Sequence, residues 1–179
     1  ETKGWPQGHE AGEKILYALK GSYLWNADPK RYLQDPLSFR SSGLILATAM
    51  EELRQAKELI NQAVNHTSDN PIVSVNARND LWYSNTDAIK AMQVGGKNTF
   101  VNSCSNFDNT QLAVQLESVG RALAQVIHTS AWRTTQLDDK HRTNLPTYLV
   151  AKENKGGDGF ANIAQSMSGL YAEAMALTN

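Results

Sequence analysis

The run LAVQLESVGRALAQVIHTS, residues 112–130, decides the architecture. Leu112, Leu116, Val119, Leu123, Val126, Ile127 and Ser130 recur at steps of three and four, which places them on one stripe of an α-helix. Ala113, Ser118, Gly120, Ala122 and Ala124 fill the remaining positions, and such small residues let a neighbouring helix approach closely. The run therefore predicts a long helix packed among other helices. Two further stretches carry the same signal. Leu46, Ala49, Met50, Leu53, Ala56, Ile60, Ala63 and Val64 form one stripe, with Glu51, Glu52, Arg54, Lys57 and Glu58 on its other faces. Ile163, Met167, Leu170, Ala174 and Leu177 alternate spacings of four and three, which is a heptad seam. A shorter helix is predicted over residues 11–20, with Ile15, Leu16 and Leu19 inward. The fold class is mainly α: a long-helix bundle joined by a short β-hairpin and irregular loops.

Between the first two long helices the composition changes. Of 15 Asn residues, 10 fall between Asn61 and Asn109, and Asn favours turns and local side-chain bonds over helix. Residues 72–75 and 81–84 are predicted to pair as a short hairpin. Loops are expected through Gly95-Gly96 and over residues 144–159, where Gly156, Gly157 and Gly159 cluster. Several apolar stripes in so short a chain predict self-association, because one chain cannot cover them all.

With 179 residues, 17 Lys+Arg and 18 Asp+Glu, the formal net charge is −1. Neither nucleic acid nor an anionic membrane surface is an expected partner, since both demand a basic excess. The single cysteine, Cys104, excludes an internal disulfide and a multi-cysteine zinc site. His9, His66, His128 and His141 lack metal-ligand spacing, so no metal is expected. The longest apolar stretch, residues 43–50, is too short to span a bilayer. No secretory signal pattern or initiating Met is visible, and the reading is a segment of a longer cytoplasmic protein.

The densest polar cluster, residues 33–43, precedes a long helix. Ser41 or Ser42 can cap that helix, whose free N–H groups carry partial positive charge. Arg40 adds a planar guanidinium able to grip a carboxylate through two parallel bonds. Two readings stay open: a carboxylate site in which Arg40 faces a cavity, or an Asp35–Arg40 pair that fixes the helix start. A second cluster, residues 65–71, ends the first long helix, because Pro71 biases Asn70 away from the helical region. Asn65-His66-Thr67 fits a glycosylation pattern and is read as chance. Ser105-Asn106-Phe107 directly precedes the second long helix. Cys104 reads as a passive thiol.

These clusters together resemble a known family. Gln34-Asp35-x-x-Ser38-x-Arg40, Ser68-Asp69-Asn70-Pro71, Asn106-Phe107, Leu145-Pro146-x-x-Leu149 and Gly159-Phe160 follow the order found in the aromatic amino acid lyases. These are the histidine, phenylalanine and tyrosine ammonia-lyases and the related aminomutases. An insertion separates Pro71 from Asn106, and Ser130-Ala131-Trp132-Arg133 falls on the family's Ser-Glu-Arg-Arg. The resemblance covers essentially the whole chain.

The resemblance implies a fumarase/aspartase-like helical fold and a cytoplasmic homotetramer whose central bundle mixes helices of all subunits. It implies non-oxidative loss of ammonia from a small amino acid, of the histidine ammonia-lyase kind. The implied electrophile is a methylidene-imidazolone group made from an Ala-Ser-Gly triad, in active sites assembled from three subunits. Residues 1–179 would be a single segment of the central bundle. The triad, the N-terminal catalytic Tyr loop and the C-terminal Glu lie outside it, so the segment alone should be inactive. By position, Arg40 would hold the substrate carboxylate and Gln34 would lie beside substrate and prosthetic group. Phe107 would line the pocket. Ala161 falls where histidine lyases carry Met and phenylalanine lyases Lys, and Gln165 matches a polar position lining the same region.

Two departures stand out. The family's catalytic Tyr in Gln-Asp-x-Tyr-Ser is Leu37 here, and leucine can neither hydrogen-bond nor transfer a proton. The residue after Phe107 is Asp108, an added carboxylate near the pocket. Ser41-Ser42-Gly43 and Met167-Ser168-Gly169 imitate the triad outside its context. The competing expectation is a lyase-derived helical scaffold that has lost its chemistry and serves in oligomerisation or ligand binding.

Overall fold

Helix α1 runs over Pro6–Leu19, five residues longer at its start than the apolar pattern alone indicates. Pro6 explains the difference: its fixed φ and missing N–H suit the first helical position. The computed structural model describes residues 4–22, 34–75, 93–95, 99–154, 156–157 and 159–178. After α1 come the single turn α2 (Leu37–Arg40), the long helix α3 (Ser42–Asn65), strands β1 (Ile72–Ser74) and β2 (Phe100–Asn102), and the long helix α4 (Thr110–Gln136). A turn α5 (Lys140–Thr143), a 3-10 turn (Thr147–Leu149) and helix α6 (Ile163–Ala176) complete the order. The mainly helical fold class agrees with this architecture. Among the described residues, no helix is long and apolar enough to cross a membrane.

The chain forms two compact units: Glu1–Gln55 with Gln115–Asn179, and Ala56–Val114. In the first unit, side-chain contacts fix helix direction and register. Arg133 Nη1 donates to Ser42 Oγ at 3.4 Å, and Gln115 Nε2 donates to the Glu52 carboxylate at 2.7 Å. Position numbers rise on α3 as they fall on α4, so these stretches are antiparallel. His128 stacks on Tyr171 with centroids 4.4 Å apart, and Arg121 Nε donates to the Thr178 carbonyl at 3.3 Å. Both contacts shift by seven residues in opposite senses, which makes α6 antiparallel to α4 as well.

Burial departs from the predicted stripe on α4 and follows that on α3 only in part, through Ala49 and Ala56. The buried apolar residues among those described are all alanine: Ala11, Ala47, Ala49, Ala56, Ala122, Ala124 and Ala131. Leu53, Ile60 and Val64 of α3, Leu116, Leu123 and Ile127 of α4, and Leu170 and Leu177 of the last helix are exposed. Leu16 and Leu19 of α1, expected inward, are exposed too. The physical reason is size. A single methyl group is covered by modest contact, whereas the bulky side chains of the stripes need more neighbours than one short chain supplies.

In the second unit, β1 and β2 pair antiparallel with Ile72 opposite Asn102, Val73 opposite Val101 and Ser74 opposite Phe100. The predicted hairpin partner of β1, residues 81–84, lies outside the described residues. The described partner is β2, an Asn-rich segment whose strand signal is weak because Asn102 sits inside it.

An Ala124→Leu substitution, at a side chain 2% exposed, should cost about 1–3 kcal/mol by overpacking. Leu123→Ala, at a side chain 41% exposed, should cost less than about 1 kcal/mol. Urea unfolding of the two variants measures the difference, and the reverse order would refute the alanine-faced core.

Candidate functional site

The turn carrying Arg40 is built by backbone bonds. The N–H groups of Phe39 and Arg40 donate to the Pro36 carbonyl, and that of Ser41 donates to the Leu37 carbonyl. A separate turn thus precedes the long helix, which itself begins at Ser42 as expected, with the Ser41 carbonyl accepting the Ile45 N–H at 3.1 Å. Ser42 caps nothing: its hydroxyl donates back to the Ser38 carbonyl at 2.8 Å. The N–H groups of Phe39, Arg40 and Ser41 are consumed by α2. Arg40 Nε donates to the main-chain carbonyl of Asp35 at 2.7 Å. Its contact is with the backbone rather than the Asp35 carboxylate, and no partner for Nη1 or Nη2 is found among the described residues. Arg40 and Gln34 are exposed, and so is Leu37, at 66%.

A second segment of the same unit joins two motifs. Tyr148 and Leu149 both hold positive φ, 57° and 53°, as does Gly159 at 49°. Non-glycine residues in that region are strained and persist only where surroundings enforce them. Two bonds do so here. The Tyr148 N–H donates to the Asp138 carboxylate, and the Phe160 N–H donates to the Tyr148 carbonyl at 2.8 Å. A side chain at position 159 would overlap that carbonyl. Leu145-Pro146-x-x-Leu149 and Gly159-Phe160 are thus one structural element. Ala161 follows it, half-buried, and Gln165 lies exposed one helical turn further along α6. Among the described residues no hydrogen bond or ion pair links Arg40 or Gln34 with Gln165. Sequence reasoning missed Asp138, and it met Arg133 only inside the Ser130-Ala131-Trp132-Arg133 match. Arg133, half-buried, reaches Thr129 O and Ser130 Oγ at 3.3 Å besides Ser42.

The second unit ties its motifs by side chains. Asn70 Oδ1 accepts from the Cys104 N–H at 2.9 Å and from Ser103 Oγ at 3.2 Å. Asn106 Nδ2 donates to Thr67 Oγ1 at 3.2 Å, and the Cys104 thiol donates to the Asp69 carbonyl. Asn65 and His66 donate to the carbonyls of Asn61 and Gln62, closing the end of α3. Phe107, 58% exposed, sits on the turn before α4. A cleft of about 290 Å³ lies against this knot, lined by Leu59, His66, Thr67, Asn106, Asp108 and Leu112 among others. Asp108 is not a free pocket carboxylate. Its Oδ1 accepts from Thr110 Oγ1 at 2.5 Å and from the Thr110 N–H at 2.9 Å, so it caps α4. These bonds hold its carboxyl below the usual carboxylate range. No group of three or more His, Cys, Asp and Glu is placed to hold a metal among the described residues.

The family model of aromatic amino acid lyase matches residues 1–179. The chain belongs to the aromatic amino acid lyase family. It is 28% identical over 147 residues to histidine ammonia-lyase of Salmonella typhi, covering 82% of this chain and 25% of that protein. Histidine ammonia-lyase of Salmonella enteritidis is 27% identical over the same length. The chain therefore spans about a quarter of the length of these relatives. Among solved structures, ergothionase from Treponema denticola, an ergothioneine-degrading enzyme, superposes with a TM-score of 0.74 at 26% identity. That match covers 97% of this chain and 30% of ergothionase. Phenylalanine aminomutase of Pantoea agglomerans shares the fold, with a TM-score of 0.64 at 18% identity.

Asp108→Ala should lower the melting temperature, whereas Asp108→Asn, which keeps the capping oxygen, should retain most of it. The folded pKa lies below the ordinary value of 3.8. Its stabilisation is therefore present above that ordinary value and lost as pH falls through the folded value. Thermal melts should show the wild-type/Ala gap in full at neutral pH and closing in acid. A gap that persists in strong acid would contradict the capping role.

Proposed function

We propose that this chain is the substrate-carboxylate-binding segment of a carbon–nitrogen lyase acting on histidine or a close derivative. One observation carries the reading: Arg40 is anchored through Nε to its own turn, while its two terminal amino groups are left for an acid. That is the fork geometry a carboxylate accepts end-on. The reaction removes a proton from the β-carbon, forms the α,β double bond, and releases the α-nitrogen with its bonding electrons. In this reading Gln34 lies beside the substrate, Phe107 adds an aromatic wall, and Ala161 with Gln165 shapes the side-chain end. The working enzyme is a cytoplasmic homotetramer, and the exposed Arg40 joins its pocket only when copies assemble.

The methylidene-imidazolone group does not fit this segment. Ser42 and Ser168, each followed by glycine, both lie within helices and donate to the carbonyls four residues back, at 2.8 Å. Any such electrophile comes from residues outside 1–179.

A second substrate is favoured by Leu37. Ergothioneine carries a trimethylated α-nitrogen, which leaves as a neutral tertiary amine and has no N–H for a hydroxyl to accept. An apolar leucine in place of tyrosine suits that nitrogen better than a primary ammonium, and similarity to ergothionase over 97% of the chain supports the same choice.

The full-length protein should release urocanate from L-histidine or trimethylamine from ergothioneine. Arg40→Ala should raise KM about 10- to 100-fold, the scale of a lost charge-assisted bond pair, with Arg40→Lys between. A KM within twofold of wild type would remove Arg40 from the site. The chain should also self-associate at micromolar concentration through Leu53, Ile60, Leu116, Leu123 and Ile127, and a purely monomeric sedimentation boundary would refute that.

A further inference from the structure

We infer that Asp138 is a positioning residue for the side-chain end of the substrate pocket, acting through the strained turn at Tyr148. The inference rests on the lyase reading above, which puts Ala161 in that pocket. Ala161 makes no side-chain bond and has only a methyl group, so its location is set by the backbone that delivers it. That backbone is held in three steps. The Asp138 carboxylate accepts the Tyr148 N–H. Tyr148, with φ of 57° and ψ of 17°, turns its own carbonyl to the Phe160 N–H at 2.8 Å. Gly159 permits the approach, because a side chain there would strike that carbonyl and Val150 Cγ2.

The Leu149 and Val150 N–H groups close the turn locally on the Pro146 and Thr147 carbonyls at 2.9 and 3.4 Å, so the Asp138 carboxylate is the side-chain acceptor that ties it to another element, and Asp138→Ala removes that tie. The turn would relax toward ordinary φ, the Tyr148 carbonyl would swing away, and Phe160-Ala161 would be released. Asp138 is well placed for this because Asp139, next to it, caps α5 through the His141 N–H at 3.0 Å and pairs with Arg142 at 2.8 Å. The two adjacent carboxylates divide the work: one starts a helical turn, the other holds a loop ten residues on. Since no charge on Asp138 is required, only its acceptor oxygen, Asp138→Asn should function where Asp138→Ala fails.

The test uses the full-length protein and the substrate it turns over, L-histidine or ergothioneine. In Asp138→Ala, hydrogen exchange of the Phe160 amide should quicken at least tenfold, while amides within α4 stay unchanged. KM should rise about five- to tenfold, the scale of one lost hydrogen bond. Asp138→Asn should restore both to within twofold. Unchanged Phe160 exchange overturns the inference, and so does faster exchange with an unaltered KM, which would make Asp138 merely structural. Should Asp138→Ala not fold, Asp138→Glu, which displaces the acceptor oxygen by one methylene, takes its place with the same two readouts. Ala161→Met separates the premises. If it leaves KM unaltered, the placement of Ala161 in the pocket fails; if it shifts KM and Asp138→Ala does not, only the role of Asp138 fails.

Discussion

A buried apolar interior made of alanine is the constraint on which this molecule depends. Ala47 and Ala49, with Ala122, Ala124 and Ala131, are the buried apolar side chains of α3 and α4 in the first unit. Alanine costs no rotamer entropy on burial and lets backbones come near enough for dense dispersion contact. Its drawback is area, because a methyl group removes little apolar surface from water. A chain whose interior is methyl groups therefore keeps much of its hydrophobic potential on the outside. Leu53 and Ile60 on one helix, and Leu116, Leu123 and Ile127 on another, are that remainder.

The same constraint explains which parts of the fold were legible. Periodicity located α3, α4 and α6, since apolar steps of three and four register helices whichever face is inward. It could not say which stripe packs within the chain, because alanine carries little weight in any hydrophobic pattern and a bulky stripe is the louder signal. The start of α1 was missed for a different reason. Pro6 is a local capping device outside the apolar pattern, and only reading Pro as a first-turn residue recovers it. The pairing of β1 with β2 joins Ile72 to Asn102 across a long insertion, a separation at which sequence pattern carries no pairing information.

For the candidate site, motifs were legible and their joinery was not. Ordered fragments such as Asn106-Phe107 and Gly159-Phe160 marked the family, yet each proved to be half of a contact. Asn70 receives Ser103 and Cys104; Thr67 receives Asn106; Tyr148 receives Phe160. Short polar side chains and backbone carbonyls do this work, and neither has a composition signature. Asp108 shows the same joinery. It lines the cleft as a carboxylate near the pocket, and Thr110 two residues on takes its Oδ1 as a cap.

Arg40 and Leu37 sit three residues apart on one helical turn, so they share a face. Side chains at that spacing lie about 5–6 Å apart at Cβ. In an α-amino acid the carboxylate and the nitrogen are attached to the same carbon, a separation within that span. Under the proposed reading, a guanidinium holding the carboxylate would leave position 37 on the substrate's side of the turn, and its occupant would then bear on leaving-group chemistry. A hydroxyl there could serve a nitrogen that must leave as ammonia, whereas a leucine can only exclude water and pack against methyl groups. In that reading the turn would keep a handle common to α-amino acids while altering the environment of the bond that breaks. Divergence within the family would then lie in the leaving group rather than in carboxylate recognition.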